Sequence, residues 1–171
     1  MFNVGDFVVY GSKGVCRVVS IGSLPTGDAD RLYYTLAPVY IKGSTVFTPV
    51  DNTKVVLRKL ISRDEAEEII IKIPSINSLD IDNEKERETV FKEILTGCVP
   101  VELVKMLKNI YQRKVKRLAE GKKITVSDER FFKLAEDSLY GELAVSLGLE
   151  RDKIKDYIEE RIDHEEMIPV V

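Results

Sequence analysis

The sequence predicts an α+β protein of two domains, a small β-barrel followed by an all-helical bundle. Three observations carry that expectation. From residue 4 to about 58, short runs rich in Val, Ile, Tyr and Thr are broken by Gly, Pro and Asp, the pattern of short strands joined by tight turns. After Arg58 the apolar spacing lengthens from two to three or four residues, the period of a helix. Charge divides along the same lines: residues 1–60 carry plus three, 61–104 minus six, 105–123 plus seven and 124–171 minus seven, within a total of minus three.

The strand-like runs are Phe7 to Tyr10, Val15 to Ile21, Leu32 to Leu36, Thr45 to Thr48 and Val55 to Leu57. So short a segment buries a useful core only if its sheet closes on itself. Gly11-Ser12-Lys13-Gly14 lacks the GxxxxGK[ST] spacing of a phosphate loop and precedes a strand, so it is read as a hairpin turn. Tyr10, Tyr33, Tyr34, Tyr40 and Phe47 are numerous enough for a cation cage, but strand alternation sends half of them into the core. Pro49 ends its strand and points to a sheet margin. Val46 and Phe47 are consecutive, so one of them faces outward, where an edge strand can accept a strand from another protein.

The helical part starts with Ser62-Arg63-Asp64-Glu65, a capping box, and places the domain boundary between residues 60 and 61. A short helix stops before Pro74, and 74–83 reads as a loop. A second helix runs from about Glu84, with Val90, Phe91, Ile94 and Leu95 apolar, and Gly97 closes it. Pro100 opens a third helix to about Ala119, which Gly121 ends. Ser127 is expected to cap a fourth helix carrying Phe131, Leu134, Ala135, Leu139, Leu143 and Leu147, ended by Gly148, and a fifth starts near Glu150. Domains of 1–60 and 61–171 follow, the second an all-helical bundle.

The third helix holds the main functional signal. Between Lys105 and Lys123 there are eight Lys or Arg and one acid, Glu120. At ~100° per residue, Val104, Leu107, Tyr111, Val115 and Leu118 share one face, and Lys105, Arg113, Lys116 and Arg117 cluster opposite. Like charges gathered at a repulsive cost inside a net-acidic chain point to an anionic partner, foremost nucleic acid.

Catalytic constellations are not apparent, and no enzyme is expected. Glu67-Glu68 and Glu165-Glu166 lie on helix-surface runs, where nothing splits their pKa values. His164, the single histidine, sits in an acidic tail and is a poor general base. No metal, cofactor or small-molecule substrate is implied. Cys16 and Cys98 read as reduced structural thiols. No apolar run nears the ~20 residues of a membrane span, and the first residues do not read as a signal peptide, so a cytoplasmic protein with no membrane partner is expected.

Phe2-Asn3-Val4-Gly5-Asp6-Phe7-Val8-Val9-Tyr10, then Gly14-Val15-Cys16-Arg17-Val18 and Ile21, resemble the opening of the CarD family of bacterial transcription regulators. The likeness continues through Thr45 to Pro49, Thr96-Gly97, the basic helix, Leu118, Ser127-Asp128-Glu129 and Gly141-Glu142-Leu143-Ala144, spanning residues 1 to about 160. The resemblance implies an SH3/Tudor-like N-terminal domain that binds the RNA polymerase β subunit, and a helical domain that touches promoter DNA near the upstream edge of the melted bubble. By position it assigns the polymerase contact to Thr45, Val46, Phe47, Thr48 and Pro49, with Leu24 in support. It assigns the DNA contact to Lys105, Lys108, Arg113, Lys114, Lys116 and Arg117, with Arg87 as an outlying member. Family members carry a tryptophan at the DNA fork; that place falls on Asn83, and this chain has no tryptophan, so its DNA contact would rest on phosphates. At Phe47 some members carry arginine.

The function expected from this resemblance is to ride on polymerase and stabilise the open promoter complex through DNA contacts that read no sequence. The alternative is a KOW-like RNA-binding or ribosome-associated factor, because Val4-Gly5-Asp6 also opens such barrels. Those usually place their cations on barrel loops, whereas here the first sixty residues carry only plus three and the cations lie in the helical part.

Overall fold

The computed structural model describes residues 1–26, 30–81 and 83–162; His164, Glu165 and Glu166 lie outside the described residues. The chain divides into two compact units, Met1–Leu60 and Ile61–Val171.

The first unit is a five-stranded antiparallel sheet of β1 (Phe7–Tyr10), β2 (Val15–Gly22), β3 (Tyr33–Pro38), β4 (Val46–Pro49) and β5 (Leu57–Lys59). Its spatial order is β4-β3-β2-β1-β5. That order leaves β4 and β5 as margins, and the closure expected of a barrel is not among the ladders of the described residues. Val8, Cys16, Val18, Tyr34 and Leu36 form the core. They come from alternate positions of three neighbouring strands, as a sheet with one covered face requires. The opening motif is a tight turn. Asp6 accepts from Asn3 N–H at 2.8 Å, and Gly5, at φ +96°, adopts a backbone that side-chain-bearing residues avoid. Between β1 and β2, Gly11–Lys13 forms a 3-10 turn, the connection a hairpin needs.

In the second unit, helices α1 (Arg63–Lys72), α2 (Glu84–Gly97), α3 (Pro100–Ala119), α4 (Val126–Leu147) and α5 (Ile154–Arg161) enclose one large apolar core. Phe91, Leu103, Met106, Ile110, Leu143 and Ile154 lie at its centre. The Ser62 capping box is complete, with Glu65 N–H donating to Ser62 Oγ at 3.2 Å and Ser62 N–H to Glu65 Oε2 at 2.7 Å. Gly148 ends α4 at φ +69°, the left-handed turn that glycine favours.

Two expected helix ends fall elsewhere. Thr125, not Ser127, caps α4, accepting from Asp128 N–H at 3.1 Å. Thr125-x-x-Asp128 has itself the spacing of a cap. At the end of α2, Gly97 is still helical and Cys98 takes the left-handed conformation, φ +52°. That turn is compensated locally: Cys98 N–H donates to Ile94 O at 2.9 Å, and its buried thiol lies 3.0 Å from Leu95 O.

The apolar face of α3 also differs from expectation. Leu103, Val104, Met106, Leu107 and Ile110 are buried, but no residue after Ile110 is, and Val115 and Leu118 are exposed. The helix is rooted in the core by its first half, and its last turns stand in solvent.

Candidate functional site

Among the described residues strand β4 pairs with β3 alone, in the register Val46↔Leu36, Phe47↔Thr35, Thr48↔Tyr34 and Pro49↔Tyr33. Thr48 is buried and Val46 packs against the sheet core, so alternation turns Phe47 outward, where it is 52% exposed. Thr45 precedes the strand and is exposed; Leu24 lies in the loop after β2, half-buried. Tyr34 is in the core while Phe47 looks out, so the two do not share a cage. The margin thus offers an unpaired backbone edge with one large apolar side chain on it. That is the geometry that strand addition uses.

The cations of the helical unit separate into two groups. Arg87 was placed by resemblance on a DNA-facing surface; it is instead buried, its side chain 8% exposed. Its Nη2 donates to Asp128 Oδ1 at 3.0 Å and to Glu84 Oε1 at 3.1 Å. Arg113 grips Glu84 with two bonds of 2.7 and 3.0 Å, and its Nε lies 2.9 Å from Asp128 Oδ2. That last approach is an ion pair without an aligned N–H bond. Asp128 is 1% exposed, and its desolvation is offset by the two guanidiniums around it and by its place in the first turn of α4. Arg113 also holds the Glu84 carboxyl below the usual carboxylate range.

Lys108 is also committed internally. Its ammonium donates to the carbonyls of Ile73 at 2.6 Å, Pro74 at 3.2 Å and Ile76 at 2.6 Å. These carbonyls lie at and just beyond the end of α1, where carbonyls lose their helical donors. Lys105 pairs with Glu102 one turn away at 2.7 Å. Asn83 caps α2, accepting from Lys85 N–H at 2.9 Å.

The second group remains in solvent at the far end of α3. Lys116 is exposed; Lys114 and Arg117 are half-buried. Arg117 Nε donates to Lys123 O at 2.8 Å, which folds the following loop back so that Lys122 and Lys123 join the same end. Lys122 pairs with exposed Glu120 at 3.2 Å, a contact that water largely screens. Lys122 and Lys123 fell within the basic stretch, yet the resemblance did not assign them a contact. The signal that would have added them is Gly121, whose φ of +73° reverses the chain there.

Beside this cationic end, α3 and α4 leave a cleft of about 270 Å³. Ile110, Ile124 and Phe132 contribute apolar wall, and Tyr111, Lys114, Glu129 and Glu136 bring polar groups to it. Burial pushes the Glu136 carboxyl above its ordinary value. In the first unit, burial likewise pushes the Cys16 thiol up to about 11, so it stays protonated and unreactive at neutral pH. Among the described residues no cluster of His, Cys, Asp or Glu has the arrangement of a metal site, and no helix is long and apolar enough to cross a membrane.

A small antiparallel sheet with an apolar side chain on its margin has the geometry that strand-adding protein-interaction modules share. Comparison with protein families makes it particular: residues 2–61 match the CarD-like/TRCF RID domain. The N-terminal domain of this chain is a CarD-like RNA polymerase-interacting domain, and the role that follows is in transcription. No curated protein matches the chain.

Proposed function

We propose that this protein binds the β subunit of RNA polymerase through the β4 margin of a Tudor-like sheet, and that its helical unit then holds promoter DNA so as to stabilise the open complex. The observation that carries the reading is the match of residues 2–61 to a polymerase-interacting domain, joined to a free margin bearing Phe47. Such a partner places its work in the cytoplasm.

The DNA contact is assigned to Lys114, Lys116, Arg117, Lys122 and Lys123. Arg87, Lys108 and Arg113 hold the helices together, and Lys105 is paired with Glu102 at the opposite end of α3; these four are left out of it. A patch of this kind binds duplex DNA non-specifically at roughly 10⁻⁴ to 10⁻⁶ M, too weakly to select a promoter by itself. Held on polymerase, it meets adjacent DNA at about millimolar effective concentration. Sequence choice then belongs to polymerase, and the patch needs only to favour the melted state. A preference of ~1.4 kcal/mol for that state shifts the melting equilibrium tenfold.

The test has two arms. Phe47→Glu should weaken capture of the β subunit while the circular dichroism spectrum is unchanged; full capture by that variant would reject the β4 assignment. Changing Lys116, Arg117 and Lys122 together to Glu should shorten the lifetime of the promoter bubble to that without the protein, with polymerase still bound. An undiminished lifetime would reject the DNA assignment.

A further inference from the structure

We infer that the α3–α4 cleft takes an unpaired nucleobase bearing an amino group, cytosine foremost. The inference rests on the nucleic-acid reading above and adds to it a site for the base, where the cations serve only the phosphates. The cleft's volume, about 270 Å³, equals about nine waters at ~30 Å³ each, room for one planar heterocycle. Ile110, Ile124 and Phe132 make apolar walls, and Tyr111 supplies an aromatic side chain at the same cleft. Apolar walls with an aromatic ring and few polar groups are what a splayed-out base requires.

The polar groups set the preference. Glu129 and Glu136 both line the cleft, and carboxylates accept hydrogen bonds from the exocyclic amino group of cytosine. Thymine has no amino group and offers the same acids only its N3–H, flanked by two carbonyl oxygens that the carboxylates disfavour. Two acids would by themselves turn away a polyanion. The position of Lys114 answers this, for it lines the cleft and stands one turn before Arg117 on α3. Ile124 in turn follows Lys122 and Lys123 directly. The cleft therefore shares Lys114 with the cationic group and adjoins Lys122 and Lys123 through Ile124, so a backbone held by those cations would bring its base to the acids. Lys133, also at the cleft, is paired with Asp137 at 2.9 Å and is not needed for this.

The test uses the full chain with labelled short oligomers of dC, of dT and a duplex, followed by fluorescence anisotropy at low salt. Wild-type protein should bind the dC strand about tenfold more tightly than dT. Tyr111→Ala should lose about tenfold on the dC strand, the usual loss of one stacking partner, and keep duplex affinity within about twofold. Tyr111→Leu, which retains apolar volume in the bundle, should show the same loss, so that a poorly folded Ala variant does not decide the matter. Glu129→Gln with Glu136→Gln should erase the preference for dC over dT. Equal binding of dC and dT by the wild type, or undiminished strand binding by both Tyr111 variants, would overturn the cleft assignment while the duplex contact stands. Failure of wild-type protein to bind either strand or duplex would overturn this inference and the DNA contact together.

Discussion

Removal of Asp128 is the sharpest test of how this helical unit is held together. Its carboxylate is 1% exposed and faces two guanidiniums, Arg87 at 3.0 Å and Arg113 at 2.9 Å. Asp128→Ala would strand Arg87, itself 8% exposed, beside a new void. Breaking a buried pair by deleting one partner costs about 3–5 kcal/mol. Glu84 remains beside both arginines but is 67% exposed, so solvent weakens its compensation, and Arg113 is already its bidentate partner. We therefore expect a loss near the lower bound, about 3 kcal/mol. At about 4 °C per kcal/mol for a unit of this size, that lowers its Tm by about 12 °C. Asp128→Asn keeps an acceptor for Arg87 and should lose less. Arg87→Met combined with Asp128→Leu should recover most of the loss, since well-packed apolar pairs commonly replace buried ion pairs without penalty. The measurement is urea and thermal unfolding of the full chain followed by helical circular dichroism. A loss below about 1 kcal/mol for Asp128→Ala would refute the claim that this network holds α2, α3 and α4 together.

Two further outcomes follow from the same geometry. Lys108→Met keeps the apolar stem but removes the donor to Ile73, Pro74 and Ile76; stability should fall by about 2 kcal/mol in urea, with the salt dependence of DNA binding unchanged. For Glu84, the folded carboxyl titrates below its usual 4.5 because it accepts from Arg113. The unfolded chain then binds the proton more readily, so this stability is present above pH 4.5 and is lost as pH falls through the lowered folded value. Glu84→Gln should flatten the decline of stability below pH 4.5, by no more than about 1 kcal/mol because the group is exposed; an unchanged acid profile would refute the pairing.

Local features of this fold were legible in the sequence, and pairings distant along the chain were not. The five strands lie within one or two residues of the alternating runs, since the pleat imposes its period on neighbours. The capping box at Ser62 was legible for the same reason, with donor and acceptor three residues apart. Strand closure was inferred from the need to bury a core, yet the ladder ends at β4 and β5. Cys98 takes the left-handed turn that Gly97 was expected to make, because the buried position next to it favours a side chain over a hydrogen. The outward turn of Phe47 was half legible: alternation showed that either it or Val46 faces out, and the core contact of Val46 decided which.

The cations of α3 show why a run of like charge is an unsafe map of a binding surface. On a lone helix they are one basic face, but the helix is packed, and its neighbours carry acids that are far away in the chain. Arg113 meets Glu84, 29 residues earlier, and the buried Asp128 meets Arg87 across 41. Periodicity registers neither, because both depend on how α2 and α4 lie against α3. Burial draws the distinction. Up to Ile110 the helix has a core beneath it, and Lys108 is drawn onto the carbonyls there; beyond Ile110 no residue of the helix is fully buried, and of the cations there Arg113 alone is tied to buried Asp128, while Lys114, Lys116 and Arg117 keep contact with solvent. A polyanion would therefore meet about five cations at one end of the helix rather than eight along its length. At about 0.9 counterions released per phosphate neutralised, its affinity should depend on salt with a slope near −4 or −5, not the −7 that the whole basic stretch would produce.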